Sequence, residues 1–455
     1  MRAQPVNIVG AGLAGPLLAI LLARRGFPVT VYERRSDPRA SASSSGRSIN
    51  LALAARGIRA LEHAGIMDRV RPLTIPMRGR MVHELRGPPA LLPYGQRPDE
   101  VNYSIGRGAL NRLLIEEAAR HPGVTFRFGQ SCDGLHGAPD ARDTLALRDS
   151  SSGRAYEVPL TPTIAADGAG SSVRASLVER GSIAAHEDPL DHDYKELSLP
   201  PAAGRHALEP EALHIWPRRG FMLIALPNTD GSFTATLFLP REGPRSFASL
   251  QTARDVEDLF RHEFPDAVPL MPDLLPQFQE HPQGRLGTLH AAPWHAGGGV
   301  LLLGDAAHAI VPFHGQGMNA AFEDCLALDA LLDRHESWES LFAAFEAERR
   351  PNAEAIARMA IENYGEMREH VLDPKFLRQK SWALELERRF PDRFIPRYSM
   401  VMFHPEISYA EALRRGTVQQ EILDVLDERA GATDVMGDRG TLDPELARKL
   451  VLTRL

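Results

Sequence analysis

The sequence is poor in several things that would have decided its class at once. It has only two cysteines in 455 residues, Cys132 and Cys325, far apart and without metal-like spacing. They could pair, but the commoner state for such residues is the buried free thiol of a reducing compartment, which is the expectation here. Charge of one sign is also scarce: the net charge of -7 gives no reason to expect a nucleic-acid partner. No apolar run approaches the roughly 20 residues that cross a bilayer. The opening "MRAQPVNIVGAG" passes straight into an apolar strand and a glycine turn, so no secretory signal is expected and the compartment is expected to be cytoplasmic. No internal repeat is visible. What remains is ordinary globular composition, 43% apolar and 24% charged, long enough for two or three domains and a large core.

The clearest local pattern is at the start. "VNIVGAG" reads as a buried strand, "AGPLLAILLARRG" as a helix with an apolar face and "FPVTVYE" as a second strand. Such a unit implies a parallel pair with a right-handed crossover. "RSDPRASASSSGRS" is a loop by composition. The stretch from Asn50 to about Val70 is expected to be helical, as is "GRGALNRLLIEEAARH", with short strands between them in "MRGRMVHELRGPPALLPYG". "LHIWP", "FMLIALPN" and "FTATLFLP", separated by "RRG" and "TDGS", predict a mainly antiparallel sheet. After Gly317 the pattern is mostly helical. The expected fold is α/β: a Rossmann-like nucleotide-binding domain (1–75, 102–180 and 285–335), a β-rich domain (76–101 and 181–284) and a helical C-terminal region (336–455).

"GAGLAG" sets Gly10, Gly12 and Gly15 at the G-x-G-x-x-G spacing. Gly10 permits the sharp turn, Gly12 lets a pyrophosphate approach backbone, and Gly15 lets helix pack closely on strand. The helix start offers free N–H groups to phosphates. Glu33 follows about twenty residues on, where a carboxylate accepts hydrogen bonds from a ribose. This pattern predicts a dinucleotide and leaves FAD and NAD undecided.

A second stretch, "LLLGDAAHAIVPFHGQGMNAAFED", separates them. Gly304 and Asp305 end an apolar strand, at the edge where open α/β sheets bind ligands. A carboxylate there can accept bonds from a ribityl chain, and the small residues after it leave room for a flat ring. "GQGMNAAFED" then starts a helix, whose N-terminus carries roughly +0.5 charge. Aimed at the pyrimidine edge of a flavin, that charge would stabilise the anionic reduced form. An extended cofactor needs this second, distant element, and FAD is therefore expected.

Taken together, "GAGLAG…YERR", "AADGAGSSVR" and the Gly304–Asp324 stretch resemble the three fingerprints of the class A, single-component flavoprotein aromatic hydroxylases, in the family's order and over nearly the whole chain. The resemblance implies bound FAD, NADPH and O2 as co-substrates, and contacts to FAD from Gly10, Gly12, Leu13, Ala14, Gly15, Glu33, Arg34, Ala52, Arg107, Asp167, Asp305, Gly317, Met318 and Asn319. Asp167, Gly168 and Arg174 match the central motif, whereas Ala165 stands where the family usually has Gly.

"GRSINLALAARG", "MRGRMVH", "LHIWPR", "ALPN", "TLFLP", "FPDA" and "FIPRYSMVMF" carry the resemblance further, to the branch of that family that hydroxylates L-kynurenine. An amino-acid carboxylate calls for a bidentate Arg and a hydroxyl donor. By similarity Arg80, Tyr94, Asn363 and Tyr398 would hold that head group, although spacing alone does not choose between Arg78 and Arg80. Phe313 and His314 are expected to shape the ring pocket without acting as base, Met222 and Phe238 to form a wall for the ring or simply core, and His308 to be structural. No residue is assigned as a catalytic acid or base, because the flavin carries the chemistry. The other readings are a hydroxylase of another aromatic acid such as a salicylate, or a flavin reductase or dehydrogenase that inserts no oxygen. No membrane anchor is expected, and the final residues are expected to pack on the body or on a second subunit, which leaves a homodimer open.

Overall fold

The computed structural model describes residues 4–40, 50–137, 143–370, 373–433 and 442–455. Most of the serine-rich loop after Arg35 lies outside the described residues. The chain divides into two compact units: Met1–Ile75 with Tyr103–Leu190 and Arg285–Ala357, and Pro76–Asn102 with Asp191–Gly284 and Arg358–Leu455.

The first unit is built on a six-stranded sheet in the order His295–Ala296, Val300–Leu302, Thr163–Ala165, Val6–Val9, Val29–Glu33, Val124–Phe128. All neighbours are parallel except the short edge strand His295–Ala296. The central strands are covered on both faces, which is why they read as unbroken apolar runs. The helix Ala14–Arg24 is buried from Gly15 to Leu22 and gives the unit's core Leu17, Leu18, Ile20 and Leu21. Ala165 pairs with Val9 on one side and Leu302 on the other and is fully buried, so the sheet accommodates its methyl group inside a regular ladder.

One expectation is corrected here. Asn50–Leu53, read as the start of a helix, is a strand that pairs antiparallel with residues 103–106, and helices follow only at Ala55–His63 and Met67–Val70. "NLAL" is too short for periodicity to separate strand from helix, and the partner strand decides.

The second unit is organised by the larger part of a seven-stranded sheet, whose order is Gln283–Ala292, Ala184–Leu199, Phe233–Pro240, Met222–Pro227, Ala212–Pro217, Gly79–Val82, Ala90–Pro93; residues 184–190 and 285–292 of its first two strands belong to the first unit. Its hairpins Ala212–Pro217 with Met222–Pro227, Met222–Pro227 with Phe233–Pro240 and Gly79–Val82 with Ala90–Pro93 are antiparallel as expected, with one parallel pair between Gly79–Val82 and Ala212–Pro217. Strand alternation gives the sheet two distinct faces. Leu223, Ala225, Ala235, Leu237 and Leu239 pack with Val256, Phe260 and Phe264 of the helical layer. The opposite face carries Leu213 and Ile224 beside Met77, Tyr94, Leu226 and Tyr398. The C-terminal helices Pro374–Arg389, Tyr409–Thr433 and Pro444–Arg454 close a separate cluster around Trp382, Leu386, Ile422 and Val451. The end of the chain therefore packs within its own unit. Among the described residues no helix is long and apolar enough to cross a membrane.

Candidate functional site

In the first unit the glycine turn joins Val6–Val9 to Ala14–Arg24. Gly10 has φ +101°, and a Cβ there would lie 2.5 Å from the Ala166 carbonyl oxygen, so only glycine fits. A Cβ on Gly15 would lie 2.0 Å from the Gly10 carbonyl oxygen, while one on Gly12 would meet nothing within 4 Å. The turn is thus tight against its own sheet at Gly10 and Gly15 and open at Gly12. Glu33 Oε2 accepts the Ala11 N–H at 2.7 Å and its Oε1 the Arg35 N–H at 2.9 Å, so this carboxylate braces the turn from the end of the next strand. Arg34 is exposed beside it. Asn111, which the sequence did not single out, donates to the carbonyls of both Ala11 and Gly12 at 2.8 Å. It lies one turn into the helix Arg107–Ala119, whose first residue, Arg107, is exposed.

The central motif adds Asp167. Its Oδ2 accepts the Ser172 N–H at 3.0 Å, whereas its buried Oδ1 has no hydrogen-bond partner among the described residues. Burial raises its pKa above the ordinary carboxylate range. Arg174 reaches across to the carbonyl of Ala306 at 2.9 Å and also binds the Ala169 carbonyl, tying this motif to the segment after Asp305.

Strand Val300–Leu302 runs into Gly304 and then Asp305, which opens a one-turn helix and is exposed. What fixes this bend lies beneath it. Asp324 Oδ2 accepts the Gly304 N–H at 3.1 Å and bonds His308 Nε2 at 2.6 Å, while its Oδ1 receives Arg349 Nε at 2.7 Å. Burial alone would raise the Asp324 carboxyl, but His308 and Arg349 outweigh it and hold its pKa at about 2. Arg349 also contacts Glu323, which pairs with the buried Arg56 at 2.8 Å. His308, expected to be structural, is buried and spends its Nε2 on Asp324.

The helix Gly317–Leu331 begins after Gln316, and its first intrahelical bond is Ala320 N–H to the Gln316 carbonyl. The N–H groups of Gly317, Met318 and Asn319 precede that bond and form the dipole's positive end. The Asn319 side chain is engaged elsewhere: it donates to the Ala52 and Gly315 carbonyls at 2.9 Å and accepts the Ala54 N–H at 3.0 Å. That places Ala52 next to the helix start. Phe313 and His314 are buried in the preceding turn Pro312–His314.

These features fit FAD on structural grounds: an open backbone turn after a parallel strand, an exposed carboxylate at a strand end, a buried Asp167 oxygen with no partner and a helix start with unspent N–H groups.

The second unit holds the other cluster. Arg78 and Arg80, two apart on the chain, have different surroundings: Arg78 precedes the strand Gly79–Val82 and Arg80 lies within it. Arg78 is exposed and pairs with Glu211 at 2.6 Å, whereas Arg80 is 6% exposed. Arg80 reaches Glu366 at 3.3 Å and the Asn363 oxygen at 3.4 Å, and its guanidinium lies 5.2 Å from the Tyr398 ring centre. Its buried Nε has no hydrogen-bond partner among the described residues. Burial works against its charge, but Tyr398, Glu366 and Tyr94 leave its pKa raised, so it stays cationic. Tyr94 and Tyr398 stack at 5.5 Å, and Asn102 donates to the Tyr398 hydroxyl at 3.2 Å. Burial pushes both phenols upward, so both are neutral donors at pH 7. The four predicted head-group residues are thus brought together, with Glu366, Asn102 and Lys380 added. Burial and the charge of Arg80 lower the Lys380 ammonium to about 8, with Glu366 opposing. Met222 and Phe238 are cross-strand partners and buried.

Against known proteins, residues 3–360 match the family described as FAD binding domain, so the chain belongs to this family of FAD-binding proteins. Within it, the chain is 50% identical over 421 residues to kynurenine 3-monooxygenase of Stenotrophomonas maltophilia (strain K279a), covering 92% of this chain and 91% of that one. It is 48% identical over 433 residues to the enzyme of the same name from Xanthomonas campestris pv. campestris (strain 8004), covering 95% and 93%. The chain therefore belongs to the kynurenine 3-monooxygenase family. Among solved structures it is similar to 2-methyl-3-hydroxypyridine-5-carboxylic acid oxygenase (TM-score 0.65, 20% identity, 82% of this chain and 95% of that one). It is also similar to Pseudomonas aeruginosa PqsL (TM-score 0.64, 23% identity, 81% and 97%). These two likenesses establish the flavoprotein monooxygenase fold.

Proposed function

We propose that the protein hydroxylates L-kynurenine to 3-hydroxykynurenine with bound FAD, using NADPH and O2. The observation that carries this reading is Arg80, a buried cation with an unpartnered Nε and a carboxylate beside it, in a chain half identical to kynurenine 3-monooxygenases. A guanidinium so placed suits the carboxylate of an α-amino acid, and Glu366 suits its ammonium group. The neutral hydroxyls of Tyr94 and Tyr398 and the amide of Asn363 complete the head-group set. Met222 and Phe238 offer apolar surface to the aniline ring.

The first unit is assigned the FAD and the second the amino acid. In the first, the N–H groups around Gly12, Leu13, Ala14 and Gly15 take the pyrophosphate and Glu33 takes the ribose, with Arg34 and Arg107 at the rim. Asp305 takes the ribityl hydroxyls, with Ala52 and Asp167 lining the cradle. The N–H groups of Gly317, Met318 and Asn319 would hold the pyrimidine edge and stabilise negative charge there. Phe313 and His314 exclude water from the ring. Bound flavin supplies hydride acceptance from NADPH and activation of dioxygen. The chain's own residues orient the aromatic ring, so that oxygen is delivered ortho to the amine, and keep water away. The two free cysteines suit a reducing compartment such as the cytoplasm.

The test is product analysis by mass spectrometry after incubation of the yellow holoprotein with NADPH, air and L-kynurenine, with salicylate in parallel. A product one oxygen heavier, from kynurenine only, is expected. Turnover of salicylate alone would transfer the assignment to another aromatic acid. NADPH consumption with no oxygenated product would make the protein a flavin reductase.

A further inference from the structure

Away from the residues discussed so far, the first unit carries a group of donors that this function does not use. His186 and Asp188 lie two residues apart on the strand Ala184–Leu199, and His290 lies on the neighbouring strand Gln283–Ala292. Residues two apart on a strand share a face. The third donor is supplied by the adjacent strand. The His186 and His290 rings stack at 4.9 Å, with 16° between their planes. His290 Nε2 lies 3.4 Å from one Asp188 carboxylate oxygen, and His186 Nε2 lies 3.9 Å from the other. One donor atom from each of the three lies within 4.8 Å of the other two. Among the described residues, the two imidazoles are the charged or chargeable partners of Asp188, and no Lys or Arg pairs with it.

We propose that His186, Asp188 and His290 form a surface site for a borderline divalent cation of the zinc, nickel or copper type, which straps the two strands together. Two imidazoles and one carboxylate favour these ions over magnesium or calcium, which prefer all-oxygen sets. Zinc–nitrogen and zinc–oxygen bonds of about 2.0–2.2 Å put the ligand atoms of a tetrahedron roughly 3.4 Å apart. The His290–Asp188 pair already has that spacing, and the exposed His186 ring lies 3.9 Å from the other Asp188 oxygen. Water completes the coordination. An ion held by donors from two strands is bound by the folded chain and not by the unfolded one, so it stabilises the fold by linkage.

The experiment is calorimetric titration of zinc chloride into the full-length FAD-loaded protein, prepared without a polyhistidine tag, with thermal unfolding followed in parallel. One zinc ion per chain is expected to bind, with a rise in Tm, and magnesium is expected to do neither. H290A and H186A should each weaken zinc binding about tenfold or more, since removal even of an outer-shell partner costs 10- to 100-fold. Both variants should reduce the zinc-dependent rise in Tm at a given zinc concentration and leave zinc-free NADPH oxidation unchanged. Saturable binding that survives intact in the H186A/H290A double variant would overturn the proposal by placing the ion elsewhere. Failure of the unaltered protein to bind zinc saturably would overturn it outright.

Discussion

Two buried arginines set the two units apart. Arg349 in the first unit has its charge answered by Asp324 and Glu323 on the same side of one helix, and Asp324 in turn spends its oxygens on His308 and a backbone N–H. Arg80 in the second is equally buried, but its contacts to Glu366 and Asn363 are long and its Nε is left over. A charge anchored at 2.7 Å on one carboxylate and shared with a second at 3.3 Å holds a structure in place. A charge that is desolvated yet incompletely bonded is a standing cost to the empty protein, and an anionic ligand removes it. On the function proposed above, the difference separates a cation that holds the bend at Gly304 from one placed to receive an anionic head group.

The largest effect should come from breaking the closed network. R349M removes a buried cation shared by Asp324 and Glu323, leaving them to His308 and Arg56, and should destabilise the protein by about 3–5 kcal/mol, read from denaturant unfolding. The second unit has a closed network of its own, which sharpens the contrast as one of bonding rather than of unit. His83 bridges Asp266 at 2.7 Å and His214 at 2.8 Å, and His214 Nε2 meets the Glu209 carbonyl. Burial lowers the His214 pKa to about 4. The unfolded chain then binds a proton that the folded one refuses, so His214 contributes fully above about pH 6.5. That contribution falls as pH drops toward 4, by up to about 3 kcal/mol. Unfolding free energies measured between pH 7 and 4.5 should show this slope, and H214Q should flatten it.

R80M tests the open side of the comparison. It should raise the KM for L-kynurenine roughly 30- to 150-fold, about 2–3 kcal/mol, while flavin absorbance is retained and the Tm of the substrate-free protein is unchanged or higher. A Tm loss as large as that of R349M would show that Arg80 is structural. Y94F removes one neutral donor and should cost about 1 kcal/mol, a roughly fivefold rise in KM. The smallest effect should come from pH: as Lys380 loses its proton above about pH 8, KM should drift upward, and in K380M the drift should vanish.

The turn at Gly10 and the bend at Asp305 were legible because both are local. Glycine spacing and strand length on a short segment fix them, and Glu33 falls in register by chain length alone. Choosing Arg80 over Arg78 required knowing where the strand begins: Arg80 lies inside Gly79–Val82, paired with Leu213 and Leu92, and Arg78 lies before it. Asn111, Asn102, Glu366 and Lys380 gave no signal, because a single polar residue in a helix or strand looks the same whether it faces water or a distant loop. Asn319 was read through the helix start it occupies, and its side chain proved to serve the backbone of residues 52–54 and 315 instead.

That amide has a partner constraint of its own. A Cβ on Gly57 would lie 2.5 Å from the Asn319 oxygen and 2.7 Å from a Leu53 methyl, so the helix Ala55–His63 can approach only while position 57 carries no side chain. The two positions are therefore locked as a pair. A library that varies residue 57 alone should return glycine, and any other residue should survive only where position 319 has changed with it.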